Sequence, residues 1–227
     1  MQTIAEAIEV QTRGMLFDMD GVLISSIGSV ERCWKRWAKM YGVPDAENYQ
    51  VPHGVRAADT VRSLKPEFDE DAVAEGVRVI EQLEIDDTAD LKVLPGARAL
   101  LESLPANRWA IVTSATHRLT LARLAAAGLP VPERLISADM VKRRKPDPEP
   151  YRRGAELLGL SPADCIVVED APSGVDAGLA AGCRVLGVTT THPAEDLDRA
   201  TWTAASLEQV QASVSEDAIK LHVMTSR

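Results

Sequence analysis

The chain has 227 residues, 45 % of them apolar, and a formal net charge of −9. That length fits one sizeable domain or one domain with a small insert, with enough apolar residues for a real core. The acidity excludes a nucleic-acid footprint, which needs basic residues against phosphates, so an anionic substrate must meet positive charge made locally, by a placed lysine or a metal ion.

The N-terminus has no basic start followed by an apolar stretch, so no signal peptide is expected, and no apolar run reaches the length of a membrane span. Cys33, Cys165 and Cys183 are odd in number and far apart. They suggest neither a disulfide framework nor a zinc site. A soluble chain in a reducing, cytoplasmic setting is expected, without nucleic-acid or membrane partners.

The first strand pattern is Gly14–Phe17, and Phe17-Asp18-Met19-Asp20-Gly21-Val22 follows it. Two carboxylates spaced by one residue point the same way on an extended chain. Such a pair can hold a hard cation, or divide nucleophilic attack and proton transfer between them. Asp and Gly are equally the residues of a solvated turn. From Ile24 to Val93 no convincing strand is found, and helical patterns cover Ser29–Tyr41, Ala57–Leu64 and Glu70–Ile85. Val30, Trp34, Trp37 and Tyr41 make one stripe, which reads as helix core before ligand platform. The polar loop His53-Gly54-Val55-Arg56 interrupts these helices. It either caps the next helix in solvent or drops onto a site below, where Gly54 admits close backbone approach and Arg56 offers its planar fork. Leu94-Pro95-Gly96 is turn chemistry that returns the chain from the insert.

Strand patterns then alternate with helices. Trp109–Thr113 precedes the helix His117–Ala127, Arg134–Ser137 precedes Pro148–Leu158, Cys165–Glu169 precedes Ser173–Ala181, and Arg184–Val188 closes the series. This alternation predicts a parallel sheet covered on both faces, with ligands beyond the carboxyl ends of its strands. Three further motifs fall at such ends. Thr113-Ser114-Ala115-Thr116 offers an anion a hydroxyl and backbone N–H groups, or simply caps a helix. Lys145-Pro146-Asp147-Pro148 can fix a point charge beside a phosphoryl group, or is a surface loop. Glu169-Asp170 follows a fully apolar strand, where buried acids need a partner such as a divalent metal. No pattern is found in the tail after Ser213. Acid pair, hydroxyl, lysine and acid pair together supply the parts of a phosphoryl-transfer site.

In the order and spacing of these four motifs, with a helical insert between the first and second, the chain resembles the haloacid dehalogenase superfamily over nearly its whole length. Within it, Val30-Glu31-Arg32-Cys33-Trp34, His53-Gly54-Val55-Arg56 and Arg108-Trp109-Ala110-Ile111-Val112-Thr113-Ser114 resemble the bacterial and yeast sugar phosphatases acting on hexose, 2-deoxyglucose or glycerol phosphates. The resemblance implies an α/β fold, with a Rossmann-like doubly wound parallel sheet core over 1–23 and 94–227 and an all-helical cap insert over 24–93. It implies an Mg2+-dependent phosphatase of small sugar or polyol phosphate monoesters, working through an aspartyl phosphate. Asp18 then resembles the nucleophile. Asp20 resembles the acid/base, with its backbone carbonyl on the metal. Ser114, with Ala115 beside it, and Lys145 resemble the phosphate holders. Asp170 resembles the third metal ligand, with Glu169 behind it. His53 and Arg56 are the expected cap contacts to the substrate. A monomer is expected, with a dimer left open. Two positions depart from the usual motifs: Ser25, where an Asp often stands, and Arg144, where a Gly often precedes the lysine. A hexose-phosphate mutase of the same superfamily carries a lysine in the cap loop that is absent here. A dead phosphate-binding module is disfavoured by the intact Asp18, Asp20, Lys145 and Asp170.

Overall fold

The computed structural model describes residues 6–51 and 55–225. In chain order the elements are β1 (Glu6–Thr12), β2 (Gly14–Phe17), β3 (Ile24–Ser25), α1 (Ile27–Met40), α2 (Ala57–Leu64), α3 (Glu70–Asp86), β4 (Lys92–Val93), α4 (Ala97–Ser103), β5 (Trp109–Val112), α5 (His117–Ala127) and β6 (Leu135–Ile136). They continue with α6 (Glu149–Leu157), β7 (Cys165–Glu169), α7 (Pro172–Ala181), β8 (Arg184–Val188), β9 (Trp202–Ala204), β10 (Val210–Val214) and β11 (Ile219–Thr225).

Six of these strands form the expected parallel sheet, in the order β6-β5-β2-β7-β8-β9. Every residue of β2, β5 and β7 is buried, as strands sandwiched between two helical layers must be. The alternation of side chains divides the core accordingly. Met15 and Phe17 pack with Leu100 of α4 and Leu124 of α5, while Leu16 packs with Tyr151 and Ala155 of α6 and Val175 of α7. Phe17 pairs with both Ile111 and Val168. This register sets the carboxyl ends of β2, β5 and β7 side by side. The chain leaves β2 toward β5 and β6 on one flank and returns to β7, β8 and β9 on the other, so β2 is the topological switch point where such sheets bind ligands.

The insert packs on itself. Cys33, Trp34 and Trp37 of α1, Val61 of α2, and Val73 and Ile80 of α3 make a third, separate apolar cluster. Trp37 stacks on Tyr41 at 4.3 Å, and its Nε1 donates to the Gly76 carbonyl at 2.8 Å. The aromatic stripe is therefore helix core. Gly76 is what lets α3 come so close, since a Cβ there would press on Trp37 and Val61. Where the chain enters and leaves the insert, Ile24 pairs with Val93 and Ser25 with Lys92. These two-residue strands stand at the margins of the segment in which no strand was expected, and are too short to show a period.

A second, antiparallel sheet in the order β1-β11-β10 lies outside the alternation of strands and helices that the sequence predicts. Ile219, Leu221 and Val223 of β11 face inward with Val10 and Val210, and the intervening residues of β11 face solvent. The tail after Ser213 is thus a half-buried strand joined to the N-terminal segment, a pairing invisible to local pattern. Among the described residues no helix is long and apolar enough to cross a membrane.

Candidate active site

Asp18 directly follows β2, and its backbone N–H still bonds the Val168 carbonyl, at 3.0 Å. Lys145, from the loop before α6, reaches across the strand ends. Its Nζ donates to Asp18 Oδ1 at 2.6 Å, to Glu169 Oε1 at 2.7 Å and to the Val112 carbonyl at 2.9 Å. One ammonium, with its three protons, therefore ties β2, β5 and β7 together. Three of the four motifs meet here, and Asp18, Glu169 and Asp170 each present an oxygen within 4.8 Å of the others.

Glu169 is the most fully bonded of the three acids. Its Oε1 accepts from Lys145 and from the Tyr151 hydroxyl at 2.6 Å, and its Oε2 accepts from the backbone N–H groups of Asp170 and Ala171. Its lone pairs are committed, so it orients the lysine and leaves a cation to Asp18 and Asp170. Gly174, in the first turn of α7, makes room for it, because a Cβ there would overlap the carboxylate. Gly21, at φ +82°, does the same for Asp170, whose Oδ2 lies where a Gly21 side chain would be. Thr191 donates to that same oxygen.

The electrostatics are unbalanced. Burial, with Glu169 next, pushes Asp170 up to about 7. Burial raises Asp18 well above the ordinary carboxylate range, against Lys145 and with Glu169 and Asp170. Burial opposes the Lys145 charge, but Asp18 and Glu169 hold its proton above the usual lysine range. Three buried acids against one ammonium leave negative charge that a divalent cation would neutralise. The donor set, all oxygens in a cradle shaped by Gly21, suits a hard cation.

Asp20 lies outside this net. Its Oδ1 accepts from Ser26 Oγ at 2.7 Å and its Oδ2 from Arg123 Nη1 at 2.8 Å. Ser114 and Ala115 follow the carboxyl end of β5, the strand that pairs with β2. Ser114 is exposed, and among the described residues its hydroxyl has no partner. Arg56 lines an open cleft of about 810 Å³ together with Asp59, Arg144 and Lys145. There it pairs with Asp59, its Nη2 donating to Oδ1 at 2.8 Å. Half-buried Arg144 faces this charge, and burial and Arg56 together lower its proton affinity. His53 lies outside the described residues.

Sequence reasoning missed Tyr151 and Arg123. Arg123 had a readable signal: it falls with Leu119, Thr120 and Leu124 on the buried face of α5, where a charge demands a partner. Tyr151 gave none beyond its place six residues after Lys145. Tyr151→Phe leaves the Glu169 carboxylate one donor short and should cost about 1–3 kcal/mol of stability. Urea unfolding monitored by far-UV circular dichroism measures this, and an unchanged midpoint would show that the hydroxyl holds nothing.

A family model described as haloacid dehalogenase-like hydrolase matches residues 12–182. The chain belongs to the haloacid dehalogenase-like hydrolases. Hexitol phosphatase A of Escherichia coli is 42 % identical over 205 residues, covering 88 % of this chain and 94 % of that protein. Glycerol-1-phosphate phosphohydrolase 2 of Saccharomyces cerevisiae is 34 % identical over 210 residues, covering 87 % and 82 %. The crystal structure of β-phosphoglucomutase from Clostridium difficile superposes with a TM-score of 0.73 at 21 % identity, over 88 % of this chain and 93 % of that one. That likeness speaks for the fold.

Proposed function

We propose that this hydrolase is a magnesium-dependent phosphatase of small sugar or polyol phosphate monoesters, with Asp18 as its nucleophile. The observation that carries the reading is the net of Asp18, Lys145, Glu169 and Asp170 at the switch point of the sheet. The phosphatase relatives support the substrate class.

In this reading Asp18 attacks phosphorus, and the bond from phosphorus to the sugar oxygen breaks. Asp20 gives that oxygen its proton. Water then attacks the aspartyl phosphate, its proton passes to Asp20, and Asp18 returns with free phosphate. Lys145 and Ser114 hold phosphoryl oxygens, joined by the Ala115 N–H once it leaves Thr113 Oγ1, to which it donates at 3.1 Å, and Glu169 and Tyr151 keep Lys145 aimed. Asp18, Asp170 and the Asp20 carbonyl would hold a magnesium ion, which would neutralise phosphoryl charge when bound. Residues 24–93 act as a cap that closes over the site and excludes water. Release of inorganic phosphate from a panel of hexitol, hexose and glycerol phosphates tests the assignment. Conversion of a hexose 1-phosphate to its 6-phosphate without release would make the chain a mutase instead.

Arg56, across the cleft from Lys145, is proposed to contact the sugar when the cap shuts, giving up Asp59. Arg56→Ala should then lower kcat/KM for a good hexitol phosphate by about 10- to 100-fold, the scale of one or two charge-assisted hydrogen bonds. Hydrolysis of p-nitrophenyl phosphate, which has no sugar hydroxyls, should fall less. Equal loss on both would place Arg56 on the phosphate or on cap closure.

A further inference from the structure

The acid step needs Asp20 to offer an oxygen to the leaving group, yet both its oxygens are taken by donors tied to the insert. Ser26 directly follows β3, where the chain crosses into the insert. Arg123, 4 % exposed in α5, donates to Asp20 through Nη1 and to Glu84 Oε2 of α3 through Nη2, at 2.8 and 3.0 Å. Its Nε is buried with no partner among the described residues. One guanidinium thus spans a core loop and an insert helix. The same seam carries further polar contacts. Thr116 and Arg118 of the core donate to Glu81, and Arg118 also donates to Gln82. Bonds of this kind exchange partners where apolar packing would not.

A buried arginine stripped of its counter-ion is strongly disfavoured. Asp20 can therefore leave Arg123 only if another anion stays, and Glu84 is the one in place. Burial pushes Glu84 up to about 7 against the opposing Arg123 charge, and the Asp20 charge adds to the rise. Departure of Asp20 relieves that repulsion and favours the charged form of Glu84 at the moment it is needed.

We propose that Arg123 is a positioning residue for the acid step, holding Asp20 beside the insert and releasing it toward the leaving oxygen by shifting its charge onto Glu84. This rests on the phosphatase reading. It gives the Arg123–Glu84 contact between α5 and α3 control over where the Asp20 carboxylate points.

The test compares kcat/KM for two esters with magnesium present. Sorbitol 6-phosphate expels an alkoxide that needs a proton; 2,4-dinitrophenyl phosphate expels a stable phenolate that needs none. Because kcat/KM covers only the steps through cleavage of the ester bond, later hydrolysis of the aspartyl phosphate does not enter. Glu84→Gln keeps shape but removes the alternative counter-ion. It should lower kcat/KM on the sugar ester by about 10-fold or more, part of the 10²–10⁴ supplied by general acid catalysis, and on the aryl ester by less than about threefold. Arg123→Lys, whose compact ammonium cannot span both carboxylates, should show the same selectivity, and it carries the test if Glu84→Gln does not fold. Equal loss on both esters means a structural role and overturns the proposal, as does no loss on either. Phosphate release by the unaltered protein tests the phosphatase reading separately.

Discussion

Asp18→Asn should lower turnover by about 10⁴-fold or more, the scale on which a catalytic nucleophile is lost, while the protein stays folded. Asn has nearly the same size and keeps an oxygen that can accept from Lys145, so the tie between β2 and β7 survives. It lacks the negative oxygen that attacks phosphorus. In the metal-free protein the substitution removes a buried charge that desolvation, helped by Glu169 and Asp170, disfavours more than Lys145 favours it, so thermal stability should be unchanged or raised. This pairing of outcomes separates a nucleophile from a structural acid. Loss of turnover together with a lower Tm would mean only that the net had collapsed. Retention of more than a tenth of wild-type kcat would remove Asp18 from the reaction. Mass spectrometry of wild-type protein quenched during turnover should find the phosphoryl group on Asp18.

The parts legible in the sequence are those where local pattern and chemistry coincide. Cys165–Glu169 is an apolar run bounded by turn residues, and it is a buried central strand with its acids at the carboxyl end. Lys145 lies 127 residues after Asp18 and 24 before Glu169, yet the parallel register joins all three, with Asp170 beside them. What could not be read was set by long-range pairing. β11 alternates perfectly between buried and exposed residues, but its partner β1 begins more than two hundred residues earlier, and nothing local announces the match. β3 and β4 hold two residues each and exist because the chain crosses between core and insert there. Glu169 follows from the strand, but two of its four hydrogen bonds come from Lys145 and Tyr151 on other parts of the chain. The position of Asp20 is of the same kind: the motif names the residue, whereas Ser26 and Arg123 decide where its carboxylate points.

Chelation should abolish activity, and Mg2+ should restore it. Asp18 and Asp170 are buried acids whose charge Lys145 only partly offsets, because that lysine also serves Glu169. A dication at their oxygens converts an unfavourable pair of charges into ligands. Ca2+ should not replace Mg2+, since it prefers six to eight looser oxygens over a compact octahedron. The same physics predicts a result without any substrate. In the metal-free protein Asp170 titrates near 7, above its unfolded value of about 3.9. The native state then binds more protons than the unfolded chain between these values, so metal-free stability should fall as pH rises from about 4 through 7. Mg2+ binds the deprotonated carboxylates of the folded state, and at about 100 times its Kd adds about 2.7 kcal/mol. The gain in Tm on adding Mg2+ should therefore grow with pH over that window. Calorimetric scans in EDTA and in Mg2+ at pH 5, 6, 7 and 8 measure it. Full activity in EDTA, or an Mg2+ gain in Tm that does not depend on pH, would take the metal away from Asp170.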